Sequence, residues 1–239
     1  VLSARQLDAD RLLSSVVSEP MPPGRLIQHM LSSLGALPRA PFITQLELSA
    51  DSIMLSGRPV TQIGADLRGD ESGWTIARLD LRAPGASRVT LSGDVNAQGG
   101  ASRFAGGLVL DSDDPAALSN WLWGQGGSSA SMGKLSLRAD LAFDATQWLA
   151  DHIKLTFDGS DLRGRVAYRR ASPQGETQLD VRAQTANLDA DALSPLVQRM
   201  VIEPMRSAFA GSMPRILFAF DAGQARLLRH VARDVHAHG

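Results

Sequence analysis

Aspartates that follow strand-like segments are the residues of this sequence best suited to acid–base or metal chemistry. Four stand in an Asp-Ala pair directly after an apolar residue, and a looser fifth copy ends in Asp-Pro. An Asp at a helix start accepts hydrogen bonds from the free N–H groups of the first turn, and its charge suits the positive end of the helix dipole. We therefore predict that all five are structural helix caps: Asp8, Asp114, Asp144, Asp189 and Asp221.

Histidine offers a second possible chemistry. His236 and His238 stand close to Asp234, and such a set can bind a metal ion opportunistically. The sequence has no cysteine, which excludes disulfides, thiol catalysis and thiolate metal sites. It also lacks the Gly-x-Ser-x-Gly elbow of a serine hydrolase. We therefore predict no enzyme activity, no cofactor and no metal site.

The Gly/Ser-rich segment 124–132 matches a phosphate-binding loop in composition only. It follows a helical pattern instead of a strand, and no Gly-Lys-Ser/Thr sequence ends it. We predict that it is a flexible linker. The uncharged run 115–132 contains too much Gly and Ser to span a membrane. The formal net charge of −1 gives no electrostatic reason to expect a nucleic-acid partner.

The elements that must position these residues are mostly strands. Apolar and polar residues alternate from 43 to 110 and again from 135 to 186, which is typical of strands with one apolar face. Short Gly-, Pro- and Asp-containing turns separate them, so neighbouring strands should be antiparallel. Helical spacing is confined to 8–17, 24–34, 115–123, a short stretch from Asp144 to about 150, a longer one from Asp189 to about 209, and a final one after Asp221. We predict a mainly β fold with short helices, in which a long, curved antiparallel meander sheet forms a groove.

Two internal repeats indicate how the chain is divided. Leu-Asp-Ala-Asp occurs at 7–10 and 188–191, and Ala-Phe-Asp-Ala-x-Gln occurs at 142–147 and 219–224. Such repetition suggests an extendable architecture with two repeat-like halves. The predicted units are the end of a preceding repeat with a helical connection (1–41), a first β-repeat with its closing helix (42–123), the linker (124–132), a second β-repeat with helices (133–210) and the start of a following repeat (211–239).

In combination, these patterns resemble the AsmA family of bacterial envelope proteins, which is related to larger repeating β-groove proteins. The resemblance covers nearly the whole chain. The segments that carry it are 46–57 (LELSADSIMLSG), 74–85 (WTIARLDLRAPG), 91–95 (LSGDV), 104–107 (FAGG), 114–118 (DPAAL), 158–168 (DGSDLRGRVAY) and 188–191 (LDAD).

The resemblance implies a periplasmic, β-rich body in a Gram-negative bacterium, with a role in outer-membrane assembly or lipid transport. It implies no catalytic motif, and other envelope proteins become possible partners. AsmA-like proteins usually carry an N-terminal membrane helix that this chain lacks. We therefore expect a periplasmic fragment, anchored in the inner membrane through a segment missing from this chain.

A sheet with one apolar face must cover that face, and the helices here are few. If they leave part of it open, phospholipid acyl chains could bind there. The candidate groove residues are Ile63, Leu67, Ile76, Leu79, Leu81, Val89, Leu91, Phe104, Leu108, Leu137, Leu141, Ile153, Leu155, Phe157, Leu162, Val166, Leu179, Val181 and Phe218. In the alternative, the protein's own helices cover the whole face, and the chain is a structural scaffold whose open sheet edges bind partners by β-augmentation.

Two further features have a structural and a membrane interpretation. Trp121 and Trp123 stand at helical spacing with Leu118 and Leu122, which favours core packing, although tryptophans there could also contact a membrane interface. The arginine runs at 169–170 and 226–233 are typical of solvated faces, and anionic lipid headgroups are the other possible contact.

Overall fold

The protein is known from a computed structural model that describes residues 2–9, 11, 22–24, 42–71, 73–98, 101–124, 133–144, 146–170, 176–202, 214–228 and 230–239. The predicted helices at 8–17 and 24–34 and the predicted linker 124–132 lie largely outside these residues, and so does 203–209, the end of the helical stretch predicted after Asp189. No helix in the described part of the chain is long and apolar enough to cross a membrane.

Strands dominate the described residues, as the alternating pattern predicts. They are β1 (Leu2–Asp8), β2 (Thr44–Leu55), β3 (Arg58–Gly69), β4 (Trp74–Ala83), β5 (Ser87–Gln98), β6 (Ala101–Ser112), β7 (Leu135–Phe143), β8 (Gln147–Phe157), β9 (Ser160–Arg169), β10 (Gln178–Asp189), β11 (Arg215–Leu227) and β12 (His230–His238). Helix α1 (Pro115–Trp123) follows β6, and α2 (Ala190–Val197) continues into a π-helical turn (Gln198–Ile202) after β10.

All twelve strands form one open sheet in chain order, which confirms the predicted meander. Consecutive strands pair antiparallel except at β1/β2 and β10/β11, where the pairing is parallel. Tight hairpins such as Ser56-Gly57 and Asp158-Gly159 have positive φ at both residues, and this turn geometry matches the twist of the flanking strands. The sheet passes without a break from β6 to β7, and the division into repeats stays a prediction.

The Leu-Asp-Ala-Asp repeat corresponds to a repeated structure. β1 ends at Asp8 and β10 at Asp189, and in both places helical residues follow and the next strand is parallel. The Asp8 carboxylate accepts the Arg11 N–H at 2.9 Å, and that of Asp189 accepts the Ala192 N–H at 3.2 Å. A parallel neighbour requires the chain to return to the other end of the sheet. The capped segment begins that return.

Two of the predicted caps, Asp144 and Asp221, are wrong. Asp144 lies in the turn between β7 and β8, where its carboxylate accepts the N–H groups of Thr146 at 2.8 Å and Gln147 at 3.0 Å. The same local hydrogen bonds can begin a helix or close an Asx turn. Here apolar and polar residues alternate after the turn, so the chain continues as strand β8 and not as a helix.

Asp221 lies in the middle of β11 and does not precede a helix. Its strand is bonded to β10 on one side and to β12 on the other. Backbone N–H groups used by two neighbouring strands are not free to start a helix, which is why the predicted final helix is a hairpin instead. The repeated Ala-Phe-Asp-Ala-x-Gln sequence therefore adopts two different structures.

Candidate functional site

The predicted groove residues share one face of the sheet. Cross-strand partners lie on the same face, and the registers pair Leu67 with Ile76 and Leu79 with Leu91. The series continues across the second half, where Val166 pairs with Val181 and Val181 with Phe218. We call this surface the apolar face and the opposite surface the outer face.

Irregularities in the strands keep the apolar residues on this face. In β8 the register shifts between Ala150 and Ile153, and His152 between them has a φ of 49°. A bulge adds a residue and so reverses the parity of alternation. Ala150 and Ile153 thus face the same way although three positions separate them in sequence.

One part of the apolar face lies beneath the helices. Leu118 and Trp121 of α1 and Leu193 and Leu196 of α2 form a buried cluster with strand residues that include Phe157, which is 2% exposed. The Ser119 hydroxyl of α1 donates to the carbonyl of Arg199 in the π-helical turn at 3.2 Å. We call this region the helix-covered cluster. It takes in six predicted groove residues, namely Ile63, Leu81, Val89, Leu137, Leu155 and Phe157.

The two tryptophans of α1 contribute to packing, as their helical spacing predicts. Trp121 is 8% exposed, and its Nε1–H donates to the Leu55 carbonyl at 2.9 Å. Trp123 is half-buried, and its ring lies so near Gly24 that a Cβ added there would be 2.7 Å away from it. The core interpretation of Trp121 is therefore confirmed.

In the described part of the chain, a second cluster consists of strand residues. Phe104 lies at its centre, stacked on Phe143 with ring centroids 4.9 Å apart. A Cβ added at Gly93 or Gly106 would approach the Phe104 ring to within 3 Å, so the ring fills the space above two glycines. This cluster contains a further six predicted groove residues, Leu67, Ile76, Leu79, Leu91, Phe104 and Leu141.

The apolar face continues from β8 to β11 as a regular array that we call the apolar lattice. Its register forms three rows of four residues, and every member is apolar, glycine or tyrosine. The rows, each written from β8 to β11, are Trp148-Tyr168-Leu179-Ile216, Ala150-Val166-Val181-Phe218 and Ile153-Gly164-Ala183-Phe220.

Three large side chains of the lattice are exposed, although Leu179, in the same row as Trp148 and Ile216, is only 4% exposed. Trp148 is 40% exposed, Ile216 44% and Phe218 45%, values that are high for large apolar side chains. Trp148 stacks on Tyr168 at a centroid distance of 5.8 Å, which fixes both rings. Five predicted groove residues lie here, Ile153, Val166, Leu179, Val181 and Phe218, and the remaining two, Leu108 and Leu162, lie elsewhere on the same face.

Sequence reasoning missed several lattice residues. Trp148 lies in the stretch after Asp144 that is predicted to be a helix, so it is not among the predicted groove residues, which are strand residues. Ile216 and Phe220 alternate with Phe218 in the strand itself, so the signal for them was present in the sequence. Tyr168 likewise continues the alternation of Leu162 and Val166.

The aspartates and the histidine that the sequence singles out form helix caps and a cross-strand contact. Asp114 and Asp189 cap α1 and α2, and the Asp114 carboxylate accepts the Ala117 N–H at 3.0 Å. His236 lies within β12, and its Nδ1 is 2.6 Å from an Asp221 oxygen. Within the described ranges, no three His, Asp or Glu side chains are grouped so that they could hold a metal ion.

Hydrogen bonding lowers the pKa of two of these aspartates. For Asp189 the N–H of Ala192 has the largest effect, followed by the Arg226 side chain. For Asp144 burial raises the pKa, but the hydrogen bonds from Thr146 and Gln147 outweigh it and the net shift is downward. In both cases the hydrogen bonds favour the charged form of the carboxylate, which holds a helix start at Asp189 and a turn at Asp144.

No family model matches this chain, and neither the curated proteins nor the solved structures include a significant match.

Proposed function

We propose that the apolar lattice binds the acyl chains of phospholipids. The exposure of Trp148, Ile216 and Phe218 supports this proposal most directly. Exposed large apolar side chains grouped on one face of a sheet are a mark of binding surfaces. An acyl chain that buries ten methylene groups there would gain about 8 kcal/mol before the entropic cost of binding.

In this proposal the chain is an AsmA-like segment that binds or conducts phospholipid in the periplasm. Its contribution to outer-membrane assembly and lipid homeostasis would come from binding alone, without catalysis. Attachment to the inner membrane and contact with other envelope proteins belong to the same proposal. The sequence resemblance and the long one-sided sheet support it.

The alternative is a periplasmic scaffold whose apolar face is filled by its own helices. The helix-covered cluster favours this alternative, because α1 and α2 bury Phe157 and its neighbours. A scaffold would bind partners through the edge strands β1 and β12, each of which has one neighbour in the sheet.

Lipid extraction and mass spectrometry would separate the two functions. The 239-residue chain is purified from a Gram-negative host, together with a Trp148→Asp/Phe218→Asp variant and a Leu228→Asp control. Leu228 is 74% exposed in the β11–β12 turn, outside the lattice. We expect phospholipid on the wild type and the control and much less on the lattice variant. A wild type without lipid, or equal lipid on all three, would overturn the proposal.

A further inference from the structure

The outer face of β7 to β10 carries an unusual set of positive charges. Arg138 pairs directly with Lys154, Lys154 with Arg163, and Arg165 with Arg182. Like charges directly opposite on neighbouring strands repel each other and destabilise a sheet. We call these five residues the cation cluster. All are exposed, on a chain whose formal net charge is −1.

Carboxylates neutralise only part of the cation cluster. Asp151 lies 4.0 Å from Arg165, and Asp180 lies 3.3 Å from Arg182. In the described part of the chain, no carboxylate lies within ion-pair distance of Arg138, Lys154 or Arg163. These three therefore form a row of cations across three adjacent strands, about 10 Å from end to end.

The neighbouring carboxylates already have other partners. Asp140 is paired with His152 at 2.9 Å, and Asp161 accepts the Thr156 hydroxyl at 2.6 Å. Asp221 is paired with His236. In the structure these carboxylates are therefore engaged with partners other than the row.

The cation cluster borders an open hollow of about 690 Å³ on the outer face. Four cations of the cluster line it, namely Lys154, Arg163, Arg165 and Arg182, together with the carboxylates of Asp151, Asp180 and Asp221, and Arg138 lies outside it. A hollow admits a compact molecule, whereas a flat membrane surface would meet only its rim. Arginine binds phosphate oxygens in a bidentate manner, and lysine binds them as a point charge.

We propose that the cation cluster is a binding site for a compact soluble ligand that carries several phosphate groups. The ligand would supply the negative charges that the row lacks. The cations themselves lie on the face opposite the apolar lattice, and the lattice residues Gly164, Ala183 and Phe218 also contribute to the walls of the hollow. Its affinity depends on salt, because exposed cations and phosphates are screened by ions.

Isothermal titration of the 239-residue chain with inorganic tripolyphosphate tests the proposal. We expect binding that weakens with added salt and a loss of affinity of about tenfold or more in Lys154→Gln and Arg163→Gln, since hydrogen bonds to charged groups are strong. Arg78→Gln is the matched control, because Arg78 is an exposed cation with its own carboxylate, Asp80. It should bind as the wild type does.

Thermal unfolding gives a readout that a purely structural role would not produce. Lys154→Gln should raise the melting temperature of the free protein by relieving repulsion, and it should abolish the rise that tripolyphosphate gives the wild type. No binding of tripolyphosphate, or equal binding by all variants, would overturn the proposal. So would binding to vesicles of phosphatidylglycerol and phosphatidylcholine without binding of tripolyphosphate, because the ligand would then be a membrane surface.

Discussion

The helix-covered cluster and the apolar lattice are built by the same rule but end in different environments. Both lie on the apolar face, and both arise from alternating residues in neighbouring strands of one sheet. Phe157 beneath the helices is 2% exposed, whereas Phe218 in the lattice is 45% exposed. Alternation therefore decides which face is apolar, and the helices shield one part of that face, while Phe104 in the second cluster reaches 2% exposure through strand neighbours.

The difference follows from where the capped helices begin. α1 starts after Asp114 at the end of β6, and α2 starts after Asp189 at the end of β10. Each folds back over the strand ends nearest its own cap. The described residues place no helical side chain in the second cluster, which consists of strand residues only. The position of the two caps thus determines which part of the apolar face lies beneath the described helices.

The largest expected effect compares phenylalanines from the two regions. Phe157→Ala should lower the free energy of unfolding by about 3–5 kcal/mol, because it opens a cavity in a packed core. Phe218→Ala removes a half-exposed ring and should cost less than about 1 kcal/mol. Urea unfolding followed by circular dichroism measures both. Equal losses would mean that the lattice is packed as tightly as the covered cluster.

A smaller effect tests the hydrogen bond beneath the helices. Trp121→Phe keeps a ring in place but leaves the Leu55 carbonyl without its indole donor. The expected loss is about 1–3 kcal/mol, the cost of an unsatisfied buried group. Trp148→Phe, at an exposed lattice position, is the control and should change stability by less than about 0.5 kcal/mol. A loss in Trp148→Phe as large as in Trp121→Phe would contradict this assignment.

The helix caps provide a third comparison. Asp114→Ala should cost about 0.5–2 kcal/mol, because it removes the acceptor for the Ala117 N–H at the start of α1. Asp221→Ala should cost less than about 0.5 kcal/mol, since Asp221 is an exposed strand residue beside an exposed His236. Thermal unfolding of the two variants measures the difference. A loss in Asp221→Ala as large as in Asp114→Ala would mean that the Asp221–His236 contact stabilises the β11–β12 pair more than an exposed ion pair ordinarily does.

Much of the fold could be predicted because period-two alternation has one physical meaning in a half-buried sheet. The caps predicted from the Leu-Asp-Ala-Asp repeat, Asp8 and Asp189, are also confirmed. Both carboxylates stand at the end of a strand, where the N–H groups of the following helical residues are free to donate to them. The helix caps predicted at Asp144 and Asp221 are wrong, because the sequence Phe-Asp-Ala is compatible with a helix cap, a turn and a strand interior. Only the neighbouring strands decide among the three, and those neighbours are distant in sequence.

The candidate surfaces were less predictable than the fold, because they depend on register. Ile153 and Val166 could be assigned to an apolar face, but their membership in a lattice requires knowing which residue lies opposite each of them. The row formed by Arg138, Lys154 and Arg163 is spread over three strands and leaves no local motif. The bulge at His152 also shifts the register between β8 and β9, and the alternation of apolar residues does not determine the size of that shift.

The smallest expected effect concerns Asp189, which connects the two regions. Its carboxylate caps α2 above the covered cluster and pairs with Arg226 of β11, the last strand of the lattice. Its pKa is lowered in the folded protein, chiefly by the Ala192 N–H. A lowered folded-state pKa gives stability that is complete above the unfolded value of about 3.9 and is lost as the pH falls through the folded value.

Asp189→Asn retains a capping oxygen but removes the charge. The variant should therefore melt slightly below the wild type at neutral pH, and the gap should close as the wild-type carboxylate becomes protonated. Asp189→Ala lacks the cap as well, so its deficit should persist in acid. Melting temperatures at neutral and acidic pH measure both. A gap for Asp189→Asn that does not narrow in acid would show that the charge of Asp189 contributes nothing to holding α2 against the edge of the lattice.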